Sequence, residues 1–372
     1  MIRVLHYVGA MEIGGAENLI MQWYRNIDTD IVQFDFLVHN TSQAFFDEEI
    51  MARGGKIWHL QHRLSNIQEY RKEIKCFFKN HPEYKIVHCH QNELSGYLIE
   101  VAKSCKVSVV IAHSHNLLSF NHSIRDVIKW YGRVQVLRYA DYIFACSIES
   151  LRTIYRKKAD NDRFYVLKNG IEADKFAYDK KKGEQIRAQY GISSDDFLIG
   201  TVGNLRDYKN HRFIIPIVHS LQQHGITAHL LIVGEGDERP NLMRAAREYG
   251  IENYIHLVGN KSNVQDYLSA FDCFVFPSLF EGLGIGLIEA QANGLPCVAS
   301  DRVPREACCN EEQVRFIGIS DQDISAWVDA IITAKRRSDP AQALQIVAEA
   351  GYDIRPVAAW LQQFYLKAAN HE

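Results

Sequence analysis

The chain has 372 residues, 47% of them hydrophobic and 23% charged, and a formal net charge of −3 at pH 7. This length exceeds what one compact core usually accommodates, so two domains are expected. Residues 1–172 hold 22 Lys and Arg against 19 Asp and Glu, and residues 173–372 hold 20 against 26, so neither half has the concentrated basic footprint of a nucleic-acid binder.

Nothing in the sequence indicates secretion or a membrane span. The eight cysteines lack the paired spacing of a zinc ribbon or a disulfide scaffold. No charged leader precedes the first apolar run, and no window reaches the roughly 18 uninterrupted apolar residues that a spanning helix needs. We therefore expect a cytoplasmic protein with reduced thiols.

Short apolar runs in the first half predict buried parallel strands. They are Ile2–Val8, Phe34–Val38, Ile86–His90, Val107–Ala112 and Tyr142–Ser147. Between the first two runs, Ala16–Ile27 carries apolar residues at the i, i+3, i+4, i+7 spacing of a helix that packs on a sheet. The pattern is that of a βαβ unit.

The same pattern restarts after the turn pair Asn169-Gly170. The second series of predicted strands comprises Phe197–Val202, His229–Val233, Ile255–Val258, Cys273–Phe276, Pro296–Ala299 and Val314–Ile317. An amphipathic helix is expected at the end of the chain. We predict an α/β protein with two doubly wound parallel-sheet domains, residues 1–171 and 172–352, with the helix of about residues 353–372 packing back on the first domain.

The most informative segment follows the predicted strand Cys273–Phe276. It reads strand, glycine-rich loop and helix, and such a turn exposes backbone N–H groups at the positive end of a helix dipole. Gly282–Gly286 could therefore cradle a diphosphate. Glu281 and Glu289, on either side of the helix start, offer carboxylate oxygens that accept hydrogen bonds from ribose and sugar hydroxyls.

This segment resembles the E-x7-E motif of the retaining family-4 glycosyltransferases. Gly14-Gly15-Ala16-Glu17 is similar to the first glycine-rich loop of that family, and Lys168–Glu172 resembles the entrance to its second domain. The resemblance implies the GT-B fold, with two Rossmann-like domains facing a central cleft. It is closest to bacterial enzymes that build capsule, exopolysaccharide or O-antigen.

The resemblance also implies roles for individual residues. Glu281, Lys209, Arg206 and His115 would be catalytic, with Lys209 and Arg206 neutralising the departing diphosphate and His115 contacting the donor sugar. Glu289 would hold the ribose. The other donor-binding positions would be Gly15, Gly203, Asn204, Gly282, Leu283, Gly284 and Ile285. The family often has Arg where this chain has Asn204, so Arg206 would supply that charge from two positions along.

A metal site is the alternative for the histidines. His88-Cys-His90 and His113-Ser-His115 are pairs at strand ends, and alternate strand residues point the same way, as chelation requires. A zinc hydrolase also needs a third ligand or a carboxylate with support behind it, and the sequence shows none. The resemblance implies transfer without a metal or any other cofactor.

Two segments mix cations with aromatic residues, Tyr70–Lys79 and Ile124–Arg133. They are either ordinary amphipathic core helices or peripheral contacts with the inner face of the cell membrane.

The resulting hypothesis is a hexosyl- or N-acetylhexosaminyl-transferase. It would move sugar from a nucleotide sugar, with UDP as the expected nucleotide, to a glycan or a polyprenyl-diphosphate-linked oligosaccharide. The alternatives are a GT-B-fold sugar-nucleotide epimerase or hydrolase and a non-catalytic sugar-nucleotide-binding subunit. The glycine-rich segment His229–Gly236 is similar to a dinucleotide-binding motif but lacks the third glycine, because residue 239 is Arg. A nicotinamide-dependent dehydrogenase is therefore disfavoured.

Overall fold

A computed structural model describes residues 1–39, 42–62, 64–115, 124–155, 162–334 and 337–370. The chain forms two compact units. The first consists of Met1–Ile171 and Ile354–Glu372, and the second of Glu172–Asp353. Each unit contains its own parallel sheet.

Within the described ranges the first unit has a seven-stranded sheet in the order β3-β2-β1-β4-β5-β6-β7. Every strand pairs in parallel with its neighbours. The strands are β1 Ile2–Tyr7, β2 Val32–Val38, β3 Ile57–His59, β4 Ile86–Cys89, β5 Val109–Ser114, β6 Tyr142–Ala145 and β7 Phe164–Val166. The order changes direction between β1 and β4, where open α/β sheets bind their ligands at the carboxyl ends of the strands.

Helices cover both faces of this sheet, because successive strand residues such as Val4 and Leu5 are buried on opposite sides. On the face of Val4 lie α1 Gly15–Asn26, α2 Asp47–Ala52 and the terminal α14 Ile354–Ala369. On the face of Leu5 lie α3 Ile67–Asn80, α4 Ser95–Ser104, α5 Ile124–Tyr139 and α6 Ile148–Tyr155. Residues 371 and 372, which the predicted terminal helix included, lie outside the described residues.

The second unit has a six-stranded parallel sheet in the order β10-β9-β8-β11-β12-β13. The strands are β8 Phe197–Val202, β9 Ala228–Val233, β10 Ile255–Leu257, β11 Cys273–Phe276, β12 Cys297–Ser300 and β13 Val314–Ile317. The helices are α7 Lys180–Gln189, α8 Ile214–Gln223, α9 Arg239–Glu248, α10 Val264–Ala270, α11 Ile285–Ala292, α12 Ile324–Ile332 and α13 Pro340–Glu349. Helices α8, α9 and α12 pack on one face through a common apolar cluster.

The predicted fold class is confirmed, since both sheets are parallel and helices connect their strands. Two edge strands, Ile57–His59 and Phe164–Val166, were missed because each has only three residues, too few to show a period. The strand predicted at Val107–Ala112 instead runs over Val109–Ser114, which places His113 inside the sheet.

Among the described residues, no helix combines the length and the apolar character needed to cross a membrane.

Candidate functional site

The loop after β11 leads into α11 through Gly284, a position that favours glycine strongly. Gly284 precedes the helix with φ 98°, in the left-handed region that other residues avoid. A Cβ at this position would also lie 3.2 Å from both Phe276 Cε1 and Val303 Cγ1. The first turn of α11 contains no acidic residue, and no side chain in the described part of the structure caps it. The chain thus leaves the positive end of this helix dipole uncompensated.

Glu281 lies in this loop and is held by two donors. Lys209 Nζ donates to Glu281 Oε1 at 2.6 Å, and Ser278 Oγ donates to the same oxygen at 2.7 Å. The side chains of Lys209 and Glu281 are only 15% and 10% exposed. Among the described residues, Glu281 Oε2 has no hydrogen-bond partner, so one oxygen is held and the other is available to a ligand.

Lys209 reaches Glu281 because β8 and β11 are neighbours in the sheet, which brings the loops at their carboxyl ends together. The backbone N–H of Leu279 donates to the carbonyl of Tyr208 at 2.8 Å and joins the two loops directly. The methylenes of Lys209 pass over Gly203, where a Cβ would lie 3.7 Å from Lys209 Cδ. Gly203 therefore provides the surface along which the lysine extends.

Glu289 lies on α11 and differs from Glu281 in its environment. It is partly exposed, and its carboxylate has no hydrogen bond or ion pair with any described residue. Burial raises the pKa of Glu289 to about 8. With this pKa the carboxyl group is mostly uncharged at pH 7. Because it has no partner among the described residues, it can form hydrogen bonds with a ligand.

The structure does not join Arg206 to the pair formed by Lys209 and Glu281. The Arg206 guanidinium is exposed and forms its ion pair with Asp237, itself 81% exposed in its side chain. Asn204 is exposed as well. No contact among the described residues therefore supports the prediction that Arg206 supplies a positive charge beside Lys209.

The remaining positions predicted in the loop after β11 differ in their burial. Gly282 and Leu283 are buried, whereas Ile285 is partly exposed at the helix start. Leu283 is 3% exposed, so its side chain anchors the loop while its backbone remains the part that could face a ligand.

The glycines of the dinucleotide-like segment have a packing explanation. A Cβ at Gly234 would lie 2.1 Å from the carbonyl oxygen of Gly203, and one at Gly236 would lie 2.3 Å from that of Leu205. The loop after β9 therefore packs directly on the loop after β8. These glycines allow the backbones of the two loops to approach closely. Their presence is therefore explained without a nicotinamide cofactor.

Gly15 and His115 belong to the first unit. Gly15 begins α1 and is exposed, and a Cβ there would meet no atom within 4 Å, so packing does not require a glycine. A Cβ at Gly14 would lie 2.2 Å from Glu17 Oε2, but this is the end of a flexible side chain that can move aside, so packing does not require a glycine there either. Burial raises the pKa of Glu17.

His115 is one member of a buried histidine cluster, which we define as His6, His88, His90, His113 and His115. His115 Nε2 lies 2.9 Å from His90 Nδ1, and its backbone N–H donates to Asn92 Oδ1. Burial lowers the pKa of His115 to about 4 and that of His6 to about 3, and it lowers those of the other three rings further below the usual range. All five rings are therefore neutral at pH 7.

The sequence-based objection to a metal site is wrong in one respect. A third histidine does lie close to each H-x-H pair: ring nitrogens of His6, His88 and His90 lie within 4.8 Å of one another, and so do those of His90, His113 and His115. His6 was overlooked, although strand alternation on β1 next to β4 could have found it. Ser278 was also missed as a partner of Glu281, although it lies only two residues after the end of β11.

Comparisons with known proteins agree with this architecture. Residues 13–175 match the family model described as Glycosyltransferase Family 4, and residues 182–350 match the model described as Glycosyl transferases group 1. The chain is 29% identical to "Putative glycosyltransferase EpsF" of Bacillus subtilis (strain 168), over 98% of this chain and 96% of the relative. It is 24% identical to "UDP-Gal:alpha-D-GlcNAc-diphosphoundecaprenol alpha-1,3-galactosyltransferase" of Escherichia coli, over 67% of this chain and 66% of the relative.

Further relatives are named as glycosyltransferases of capsule and O-antigen biosynthesis. Among solved structures, Anabaena Alr3699/HepE in complex with UDP is similar with a TM-score of 0.83 and 16% identity, covering 99% of this chain and 100% of that chain. At this identity the likeness concerns the fold.

Proposed function

Since the chain belongs to the family-4 (group 1) glycosyltransferases and has the GT-B fold, we propose that it transfers a sugar from a UDP-sugar to a lipid-linked saccharide during synthesis of bacterial surface polysaccharide. The observation that carries the donor site is the joining of Lys209, Glu281 and Ser278 beside the uncapped start of α11. A cation, a carboxylate and a helix dipole at one place suit a sugar diphosphate.

The donor diphosphate binds at the start of α11. Lys209 has three N–H groups, of which one goes to Glu281, so the others can donate to phosphate oxygens. The backbone amides from Gly282 to Ile285 add neutral donors. This arrangement stabilises the charge that develops on the diphosphate as it leaves. A metal ion is therefore not needed to neutralise the leaving diphosphate.

The two glutamates have different tasks. Glu281, with Oε1 fixed by Lys209 and Ser278, presents Oε2 to a hydroxyl of the donor sugar. Glu289, without a partner among the described residues, accepts from the ribose hydroxyls. His115 contacts the donor sugar, as the family resemblance implies. Transfer retains the anomeric configuration, with an oxygen of the leaving diphosphate accepting the proton of the acceptor hydroxyl.

Two observations support the proposal that the acceptor is linked to a lipid. One is the E. coli relative, whose name includes an undecaprenol-diphosphate-linked GlcNAc. The other is α5, which leaves Val127 62% exposed and Trp130 55% exposed on a helix that also carries Lys129 and Arg133. Exposed aromatic and apolar side chains among cations suit the surface of an anionic membrane.

The segment Tyr70–Lys79 does not share this feature. Within α3, Tyr70, Ile74 and Phe78 are all buried against the sheet, so this helix has the pattern of an ordinary core helix. Of the two segments considered from the sequence, we therefore assign membrane contact to α5.

A ligand screen followed by a transfer assay tests the proposal. The melting temperature would be measured with UDP, GDP, ADP and their sugars, since a ligand that binds the folded state raises it. UDP-sugars should give the largest shift, and consumption of the donor should require a lipid-linked saccharide. Donor turnover without any acceptor would indicate an epimerase or hydrolase instead, and UDP binding without turnover a non-catalytic subunit. A requirement of transfer for added Mg²⁺ would contradict the metal-free binding of the diphosphate.

A further inference from the structure

The histidine cluster lies on one face of the first sheet, at its switch point. His6 is level with His88 in the pairing of β1 and β4, and His90 and His113 continue the pairing of β4 with β5. The rings are close, with centroids 4.3 Å apart for His88 and His90 and 4.2 Å apart for His113 and His115. Three adjacent strands thus deliver five imidazoles to one place.

The rings form two hydrogen-bonded chains. In the first, His6 Nδ1 lies 3.0 Å from His90 Nε2, and His90 Nδ1 lies 2.9 Å from His115 Nε2. In the second, Tyr365 Oη lies 2.6 Å from His88 Nδ1, and His88 Nε2 lies 3.1 Å from His113 Nδ1.

The first chain ends at both sides, and the second at one side, in a nitrogen without a hydrogen-bond partner among the described residues. Among the described residues, His6 Nε2, His113 Nε2 and His115 Nδ1 are buried without a hydrogen-bond partner. A neutral imidazole carries one N–H and one lone pair, so whichever way the first chain donates, one of its ends keeps a buried N–H and the other a buried lone pair. Buried polar atoms of this kind are rare and costly, and several in one cluster point to a ligand that completes them.

We propose that His90, His113 and His115 form a binding site for a transition-metal cation that prefers imidazole, for which Zn²⁺ is the natural probe. One ring nitrogen of each lies within 4.8 Å of those of the other two. His90 Nδ1 and His115 Nε2 already face each other, and His113 can offer the nitrogen that has no partner. A cation entering here replaces a single hydrogen bond between rings.

The alternative triad of His6, His88 and His90 is less suited. Both nitrogens of His88 are already engaged, by Tyr365 and by His113. His6 and His88 are fully buried, whereas His90 and His115 are 5% and 9% exposed and so lie nearer to the surface. His88 and His6 instead act behind the site, since they bond the second nitrogens of His113 and His90 and orient those rings, as outer partners of metal-binding histidines do.

Cation binding has a consequence for the donor contact proposed for His115, and this consequence rests on the proposed function, whereas the site itself does not. Coordination through Nε2 places the ring proton of His115 on Nδ1. The ring then becomes an obligatory hydrogen-bond donor at Nδ1, the atom that has no partner within the described residues.

Metal binding by the full chain tests the site without any transfer assay. The protein would be stripped with a chelator and dialysed against Zn²⁺, and we expect one tightly bound equivalent per chain. Co²⁺ would be titrated in parallel, with appearance of the strong visible absorption of a low-symmetry, imidazole-bound ion. No bound Zn²⁺ and no such absorption in the wild-type chain would overturn the proposal, whatever its transferase activity.

Variants then locate the bound ion. His113→Gln should abolish stoichiometric binding, and His88→Gln should weaken it about tenfold to a hundredfold by removing support from the ligand ring. The matched control is His256→Gln, because His256 lies 3.1 Å from His229 and, among the described residues, no third histidine joins this pair. Unchanged binding by His113→Gln, or equal loss in His256→Gln, would overturn the assignment. If circular dichroism shows that His113→Gln does not fold, His115→Gln takes its place, because His115 is the least deeply buried of the three ligands.

Discussion

Replacement of Lys209 by Met should separate the structural from the chemical role of the ion pair. Lys209 Nζ donates to Glu281 Oε1 at 2.6 Å, and the two side chains are 15% and 10% exposed. Breaking a fully buried pair costs about 3–5 kcal/mol, and breaking an exposed pair costs roughly 1 kcal/mol or less. For this pair we expect about 2–3 kcal/mol, since Ser278 still donates to Glu281. That corresponds to a drop in melting temperature of about 5–10 °C.

The same variant should reduce kcat for transfer by about 100- to 1000-fold, as expected when a group that stabilises developing charge is removed. The double variant Lys209→Met with Glu281→Gln removes both charges, so it should regain part of the lost stability. It should not regain turnover. Stability would be measured by thermal unfolding and turnover by release of UDP at saturating donor and acceptor.

The control is Lys180→Met, which breaks an exposed ion pair between Lys180 and Glu184. The side chains of these two residues are 75% and 63% exposed. This control variant should leave both the melting temperature and turnover unchanged. Turnover of Lys209→Met within a few-fold of the wild type would refute the role of this lysine. Recovery of turnover in the double variant would show that only the structural pairing matters.

Four further predictions concern Glu289, Gly284 and α5. Because the pKa of Glu289 is raised to about 8 and the ionised carboxylate is a stronger acceptor for ribose hydroxyls than the neutral carboxyl group, UDP affinity should rise as the pH passes through about 8, and Glu289→Gln should remove that dependence. The same shift means that the folded state holds the proton more tightly than the unfolded chain, so stability should fall as the pH rises from about 4.5 towards 8, and urea titrations of wild type and Glu289→Gln should diverge over that range. Gly284→Ala should destabilise the protein by about 1–3 kcal/mol because of the left-handed backbone and the contacts with Phe276 and Val303, and an unchanged denaturation midpoint would contradict this. Trp130→Ser should weaken binding to anionic vesicles without changing the melting temperature, and equal vesicle binding would exclude α5 as the contact.

Kinetics would also test the division of labour between the two glutamates. Loss of Glu281 should lower kcat more, and loss of Glu289 should raise KM for the donor more, because one is fixed beside Lys209 and the other has no partner among the described residues. The opposite pattern would exchange their roles.

Local patterns in the sequence were sufficient for the fold class. The strands Phe197–Val202, Cys273–Phe276 and Val314–Ile317 occur with the predicted bounds, and the helix after the second of these begins where the glycines predict it. Apolar runs, glycine turns and helical periods depend on residues that are close in the sequence. They can therefore be recognised without knowledge of the tertiary contacts.

Contacts between distant residues required the tertiary structure. The sequence indicated Lys209 and Glu281 separately, but only the pairing of β8 with β11 makes them partners, and only the loops themselves direct Arg206 to Asp237 instead. The histidine cluster depends on strand order in the same way, since His6 meets His90 only because β1 lies beside β4. Sequence patterns determine which residues stand at the strand ends, whereas the order of strands in the sheet decides which of those ends meet.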